Sequence, residues 1–168
     1  MALFSGTIES PRELYVHKLG AALKMENTIL EMLPKLAEAA NDSKLRQALE
    51  QHYTETQGHV ENLHRAFDAL GEDVDEQACP TIEGLEKEGE SMLGMVDDSL
   101  NDQVIISGVT ETEHHEIAVY DGLIITAEEM GEDDIAALLR ENLEQEEATL
   151  LKAEKFAEQI AKKAKQQV

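Results

Sequence analysis

The chain has 168 residues, 42% hydrophobic and 30% charged, with a formal charge of -22 from 36 acidic and 14 basic side chains. That is long enough for one domain with a substantial core and too apolar for a disordered chain. The acidity argues against a nucleic-acid-binding surface, the single cysteine excludes an intrachain disulfide, and no apolar run approaches the roughly 18 residues of a membrane span.

Good helix formers dominate the composition, aromatics are 4%, Trp is absent and Pro occurs three times, which predicts an all-α fold. Met1 to Ser10 lacks a basic start followed by an apolar run, so no signal peptide is expected and the expected location is the cytoplasm. Ser10-Pro11-Arg12-Glu13 is a helix start, with Ser as cap and Pro in the first turn. It predicts a first long helix over about 11–40, kinked rather than ended by Pro34. Asn41-Asp42-Ser43 turns the chain into a second long helix over about 44–70, stopped at Gly71. A polar loop follows, and Pro80 opens a short helix to about 99 that is punctuated by Gly84, Gly89 and Gly94. A third long helix is predicted over about 102–130, a turn at Gly131-Glu132-Asp133-Asp134, and a fourth long helix over about 135–163.

Two tight helical hairpins joined by a crossover of roughly 30 residues fit one arrangement best. It is a ferritin-like, up-down-down-up four-helix bundle with a short fifth helix in the crossover, occupying the chain as a single domain. A plain up-down bundle needs no such excursion.

Each long helix carries an apolar stripe with the spacing of a buried face, and each stripe is interrupted near its middle by carboxylate or imidazole. The first runs Leu19, Leu23, Glu26, Leu30, Leu33, and the second Leu45, Leu49, His52, Glu55, His59, Leu63, Phe67, Leu70. The third runs Ile105, Val109, Glu113, Glu116, Tyr120, Leu123, Ala127, and the fourth Leu139, Leu143, Glu146, Leu150, Ala153, Phe156, Ile160. Glu26 lies 15 residues before Asn41 and Glu55 lies 14 after it; Glu116 and Glu146 lie 15 on either side of Gly131. At about 1.5 Å per residue both pairs sit roughly 21–23 Å from their turns, which is mid-height. With the two turns at opposite ends, all four meet in one layer, and His59 and Glu113 lie a turn away.

Buried ionised carboxylates cost several kcal/mol unless compensated, and these stripes hold no Lys or Arg. Two divalent cations compensate them, and carboxylate with imidazole suits iron or manganese; zinc, which prefers four ligands and often Cys in structural sites, fits less well. The predicted ligands are Glu26, His52, Glu55, His59, Glu113, Glu116 and Glu146. Taken singly, each has a plainer reading. A glutamate at a stripe edge snorkels, a lone histidine is a hydrogen-bonded core or surface residue, and Tyr120 is a core tyrosine unless its hydroxyl serves a ligand glutamate. Neighbouring His114 and His115 cannot both face inward. Cys79 reads as a cap or packing residue.

At these residues the chain resembles the YciF/YciE-like bacterial stress-response family of the ferritin-like, rubrerythrin-like superfamily. The resemblance spans roughly Pro11 to Ile160. It rests on Leu23-Lys24-Met25-Glu26, on Gln51-His52-Tyr53-Thr54-Glu55-Thr56-Gln57-Gly58-His59, and on Cys79-Pro80-Thr81-Ile82-Glu83-Gly84-Leu85. It continues in Glu113-His114-His115-Glu116-Ile117-Ala118-Val119-Tyr120 and Leu143-Glu144-Gln145-Glu146-Glu147. The resemblance implies a dimeric bundle with a dinuclear site, linked to stress, without a defined reaction. Glu26, Glu55, Glu113, Glu116 and Glu146 match its acidic positions. The superfamily's Glu-x-x-His is absent, since Gly58 follows Glu55 by three and Thr149 follows Glu146 by three. The half of the site served by the fourth long helix is therefore expected to be ligand-poor.

Two functions compete. One is a di-metal protein that reacts with dioxygen or peroxide, oxidising ferrous iron or scavenging peroxide. The other is a non-enzymatic helical stress protein that binds metal for stability or storage, or acts through partners. A ferritin cage is disfavoured, because nothing in the sequence marks a cage interface or a fifth helix after Lys163. A nucleophilic enzyme is disfavoured because no Ser or Cys shares a helix face with a His and a carboxylate. A homodimer is expected, with Ile82, Leu85, Met92, Leu93 and Val96 of the crossover helix available to both the bundle and a partner.

Overall fold

In a computed structural model, which describes residues 7–165, the chain forms five α-helices and, among the described residues, no strand. They are α1 (Pro11–Ala39), α2 (Ser43–Leu70), α3 (Pro80–Leu93), α4 (Asn101–Met130) and α5 (Asp133–Lys165). Ser10 caps α1 by accepting from the Glu13 amide at 3.1 Å, and Asp42 caps α2 by accepting from the Lys44 amide at 2.8 Å. Gly71 and Gly131, at φ 69° and 78°, close α2 and α4 in the left-handed conformation that an L side chain resists. The α1 helix runs unbroken through Pro34.

The long helices neighbour one another as α1 on α2, α2 on α5, α5 on α4 and α4 on α1, with α3 laid against α1 and α4. Polar contacts at the two ends fix their directions. At one end Asp102, at the start of α4, accepts from the Asn41 amide at 2.8 Å, and Lys163 of α5 pairs with Asp42 at 3.3 Å. At the other end Arg12 donates to the Leu70 carbonyl at 2.7 Å and lies 3.9 Å from Glu132 in the α4–α5 turn. Neighbouring long helices are thus antiparallel, and α2 and α4 run the same way.

The crossover differs from expectation. Its helix ends at Leu93, not near Ser99, and a 3-10 turn over Asp98–Leu100 follows. Gly94 weakens the helix there, and the Asp97 carboxylate accepts from the Ser99 amide at 3.0 Å and hydroxyl at 2.6 Å, which starts a new turn. Before α3 the segment 71–79 straps across α1. The Gln77 amide donates to the Gly20 carbonyl at 3.1 Å, and Asn27 donates to Glu76 at 2.7 Å. Gly20 is buried under this strap, where a Cβ would overlap the Asp75 carbonyl oxygen. No helix among the described residues is long and apolar enough to cross a membrane.

Candidate metal centre

The four long helices each turn polar side chains into one buried layer. Glu26 comes from α1, His52 and His59 from α2, Glu113, Glu116 and Tyr120 from α4, and Asn142 and Glu146 from α5; none is more than 4% exposed. The spacings follow helix geometry. His52 and His59 are seven apart, two turns along one face, and Glu113, Glu116 and Tyr120 follow one another at three and four.

Within the layer two groups form. His52, Glu113, Glu116 and Glu146 present ligand atoms all within 4.8 Å of one another, and so do Glu26, His59 and Glu146. His52 Nε2 lies 3.2 Å from Glu113 and 3.9 Å from Glu146; His59 Nδ1 lies 2.8 Å from Glu146 and 3.6 Å from Glu26. Glu146 belongs to both groups, one oxygen towards each histidine. One group has four side chains and the other three, so α5 supplies a single shared carboxylate.

These approaches are close without being aligned as hydrogen bonds. Both oxygens of Glu116, both of Glu146, Glu26 Oε2, Glu113 Oε2 and His59 Nδ1 are buried with no hydrogen-bond partner. Natural interiors leave few such groups, so a cluster of them converging on one volume fits a cation held by these lone pairs. Other atoms of the layer are well held. The Tyr120 hydroxyl donates to Glu26 Oε1 and accepts from Asn142 Nδ2 at 3.0 Å. His59 Nε2 donates to Gln145 Oε1 at 3.0 Å, which fixes the ring with Nδ1 facing inward.

Electrostatics carry the same mark. Burial, followed by the Glu146, Glu26 and Glu113 carboxylates, pushes Glu116 well above its ordinary value. Burial raises Glu26 and Glu146 too, against the opposing pull of His59. Tyr120 is raised well above its ordinary value by burial and then by Glu26. Burial acts to lower both histidines, but the carboxylates outweigh it and hold His52 up to about 10 and His59 up to about 11.

Six of the seven predicted residues converge here, and Glu55 stands apart. It belongs to neither group and is 22% exposed on its side chain. Thr56 takes the inward position on α2, fully buried, with its hydroxyl donating to the His52 carbonyl at 2.8 Å. Distance from the turn fixes height but not rotation about the axis, and one residue is about 100°. Glu55 instead sits behind His52, its Oε2 3.7 Å from Nδ1, and accepts from Gln51 at 2.8 Å. The neighbouring His52 holds its carboxyl below the ordinary range. Asn142 is the buried polar residue of the layer that the stripe missed. On α5 the buried face runs through Asn142, Glu146 and Thr149, and Leu143 and Leu150 flank it half-buried. Of the paired histidines, His114 is exposed and His115 is half-buried beside Cys79, its Nε2 4.0 Å from the sulfur, so neither reaches the layer.

The family model described as a domain of unknown function, DUF892, matches residues 10–166. The chain belongs to the DUF892 family. Its similarity to curated and solved members agrees with the motifs read above. Protein YciF of Escherichia coli K12 is 31% identical to this DUF892 chain over 142 residues, covering 83% of this chain and 86% of that protein. The structure of the E. coli stress protein YciF superposes with a TM-score of 0.85 at 30% identity, over 89% of this chain and 96% of that one. YcfI from Rhodopseudomonas palustris gives 0.86 at 37% identity, over 90% and 98%. A Xanthomonas campestris protein shares the fold with a TM-score of 0.73 at 24% identity, over 95% and 100%. The YciF-like resemblance is thereby borne out.

Proposed function

We propose that this DUF892 chain is a ferritin-like stress protein that holds two divalent ions, iron or manganese, in its central layer and uses them to oxidise ferrous iron with dioxygen or peroxide. The observation that carries the reading is the pair of ligand groups sharing Glu146. Glu26, Glu113, Glu116 and Glu146 balance the charge of two divalent ions, and His52 and His59 add neutral nitrogen ligands. Helix order and direction support the ferritin-like assignment, with antiparallel neighbours and one long crossover. The stress link rests on the E. coli relative.

Glu26, His52, His59, Glu113, Glu116 and Glu146 would hold the pair, and two ferrous ions there would supply the two electrons that, with two protons, take dioxygen to hydrogen peroxide or hydrogen peroxide to two waters. The chain's residues do the rest. Glu146 joins the two positions. Tyr120, held by Asn142, fixes Glu26, and Gln145 fixes the His59 ring. Glu55 faces the back of His52 and orients it without ligating. The three-residue group is the weaker position. The test is to load the protein with anaerobic ferrous iron, admit oxygen, and record a ferric absorbance that rises faster than in buffer.

A second reading is favoured by the raised histidines. Two imidazolium ions among four carboxylates compensate much of the layer's charge with no metal, as a structural ion network in a non-enzymatic protein. Thermal melts separate the two, since only a metal centre gains stability from Mn²⁺ or ferrous iron. We also infer a homodimer, supported by half-buried Leu93 and exposed Met92 and Met95 around the crossover helix. A monomer mass by light scattering would overturn it.

A further inference from the structure

We infer that dioxygen, rather than peroxide, is the oxidant, and that it reaches the layer through an apolar passage between α1, α3 and α4; the inference rests on the metal-centre reading above. The passage encloses about 40 Å³. Its outer part is walled by half-buried Leu36, Leu93 and Val104. Further in it is bounded by buried Ile29, Ile105 and Val109, and it ends on His52 and Glu113. It therefore leads from the surface to two members of the four-residue group.

The wall chemistry selects what can use it. Apart from the inner end, where Thr112 joins the two ligands, the lining is aliphatic or glycine, with the thioether of Met32. Hydrogen peroxide and hydrated cations would shed hydrogen bonds to water with nothing to replace them, whereas dioxygen sheds none. A smaller cavity of about 30 Å³ on the α2–α5 side also touches His52, but Lys152 and Thr149 stand in its wall and it meets a single member of the group.

Two glycines keep the passage open. Gly89 of α3 and Gly108 of α4 line it, and a Cβ on either meets no atom within 4 Å. Neither has the positive φ that favours glycine, so backbone geometry does not require them. Mid-helix glycine costs about 1 kcal/mol relative to alanine. At these positions it supplies room beside the ligands.

The test compares the unsubstituted protein with Gly108→Val, the gentler Gly108→Ala, and Gly122→Val. The last makes the same change on α4 outside the passage, also where a Cβ has open space. The first readout uses metal-free crystals under xenon, an apolar probe of dry cavities. Xenon is expected between Ile29 and Val109 in the unsubstituted protein and Gly122→Val, and absent from Gly108→Val. The second is stopped-flow oxidation of loaded ferrous iron. With dioxygen Gly108→Val is expected to slow by about tenfold or more, and Gly108→Ala by less, because the other cavity at His52 is smaller and has Lys152 and Thr149 in its wall. With hydrogen peroxide the unsubstituted protein is expected to react more slowly than with dioxygen and the substitutions to leave that rate unchanged; a peroxide rate matching that of dioxygen overturns the choice of oxidant. Mn²⁺ should raise the melting temperature of all four proteins alike. No xenon in the passage, or equal dioxygen rates in Gly108→Val and the unsubstituted protein with metal bound, overturns the inference and leaves the metal centre standing. No gain in melting temperature from metal in the unsubstituted protein overturns both.

Discussion

Replacing Glu116 with Gln isolates the energetic tension in the layer. Every charged neighbour that raises Glu116 is another carboxylate, and neither of its buried oxygens has a hydrogen-bond partner. In the unfolded chain it ionises near its ordinary 4.5, while in the metal-free fold it holds its proton to higher pH. Holding that proton against solution pH costs stability, and the cost grows with every pH unit above 4.5 at which the carboxyl stays protonated. Gln has the same volume, carries no charge, and offers an amide donor to the surrounding carboxylates. Metal-free Glu116→Gln should thus be more stable than the unsubstituted protein at pH 7, each kcal/mol gained raising the melting temperature by roughly 2–4 °C for a domain of this size. The sign follows from the raised pKa. The unsubstituted protein is favoured below 4.5 and loses that stability as pH rises towards the folded value, so the advantage of Gln should shrink at pH 4. With Mn²⁺ at about a hundred times its dissociation constant, the unsubstituted protein should gain about 2.7 kcal/mol and the variant roughly half of that or less. Scanning calorimetry at pH 4 and 7, with chelator and with Mn²⁺, reads all of this. A metal-free variant less stable at pH 7, or one that keeps the full gain from metal, would refute the reasoning.

Four further outcomes are expected. Glu146→Gln should abolish most of the metal-dependent rise in melting temperature, because Glu146 serves both groups, whereas Glu55→Gln should keep most of it because Glu55 lies at the rim. Metal binding should release about two protons at pH 7 from the histidines, with any proton still held by the raised Glu116 adding to them, and tighten as pH rises; titration calorimetry in buffers of different ionisation enthalpy measures this. The raised histidines also stabilise the metal-free fold fully below 6.5, a contribution lost as pH climbs through about 10 to 11, so its melting temperature should fall over that range. Gly20→Ala should cost about 1–3 kcal/mol in urea unfolding, because the strap must move off α1, while Gly58→Ala, with open space around its Cβ, should gain about 1 kcal/mol.

Much of the layer was legible because helix periodicity constrains it from one side and charge from the other. On α4 every stripe residue from Ile105 to Ala127 is buried as read, Glu113, Glu116 and Tyr120 included. Periodicity is weaker at resolving rotation. A spacing of three or four residues keeps both Leu143 and Asn142 near the α5 stripe, and a hydrophobicity rule chooses the leucine. The fold turns Asn142 inward because the Tyr120 hydroxyl and the His59 carbonyl, 3.0 and 3.3 Å from its amide, need a buried donor. The same ambiguity put Glu55 in the layer where Thr56 sits. The strap left no local signal, since Gly20 in a helical stretch reads only as a weak helix former until segment 71–79 is seen across it.

The most direct measurement is anomalous scattering from crystals soaked in Mn²⁺. The account predicts two peaks in the central layer, roughly 3.5–4 Å apart as in two-metal sites. One should be bonded by His52, Glu113 and Glu116, the other by Glu26 and His59, with Glu146 reaching both. Crystals with Mn²⁺ only on surface carboxylates, and His52 and His59 still paired with the glutamates of an ion-free layer, would contradict it.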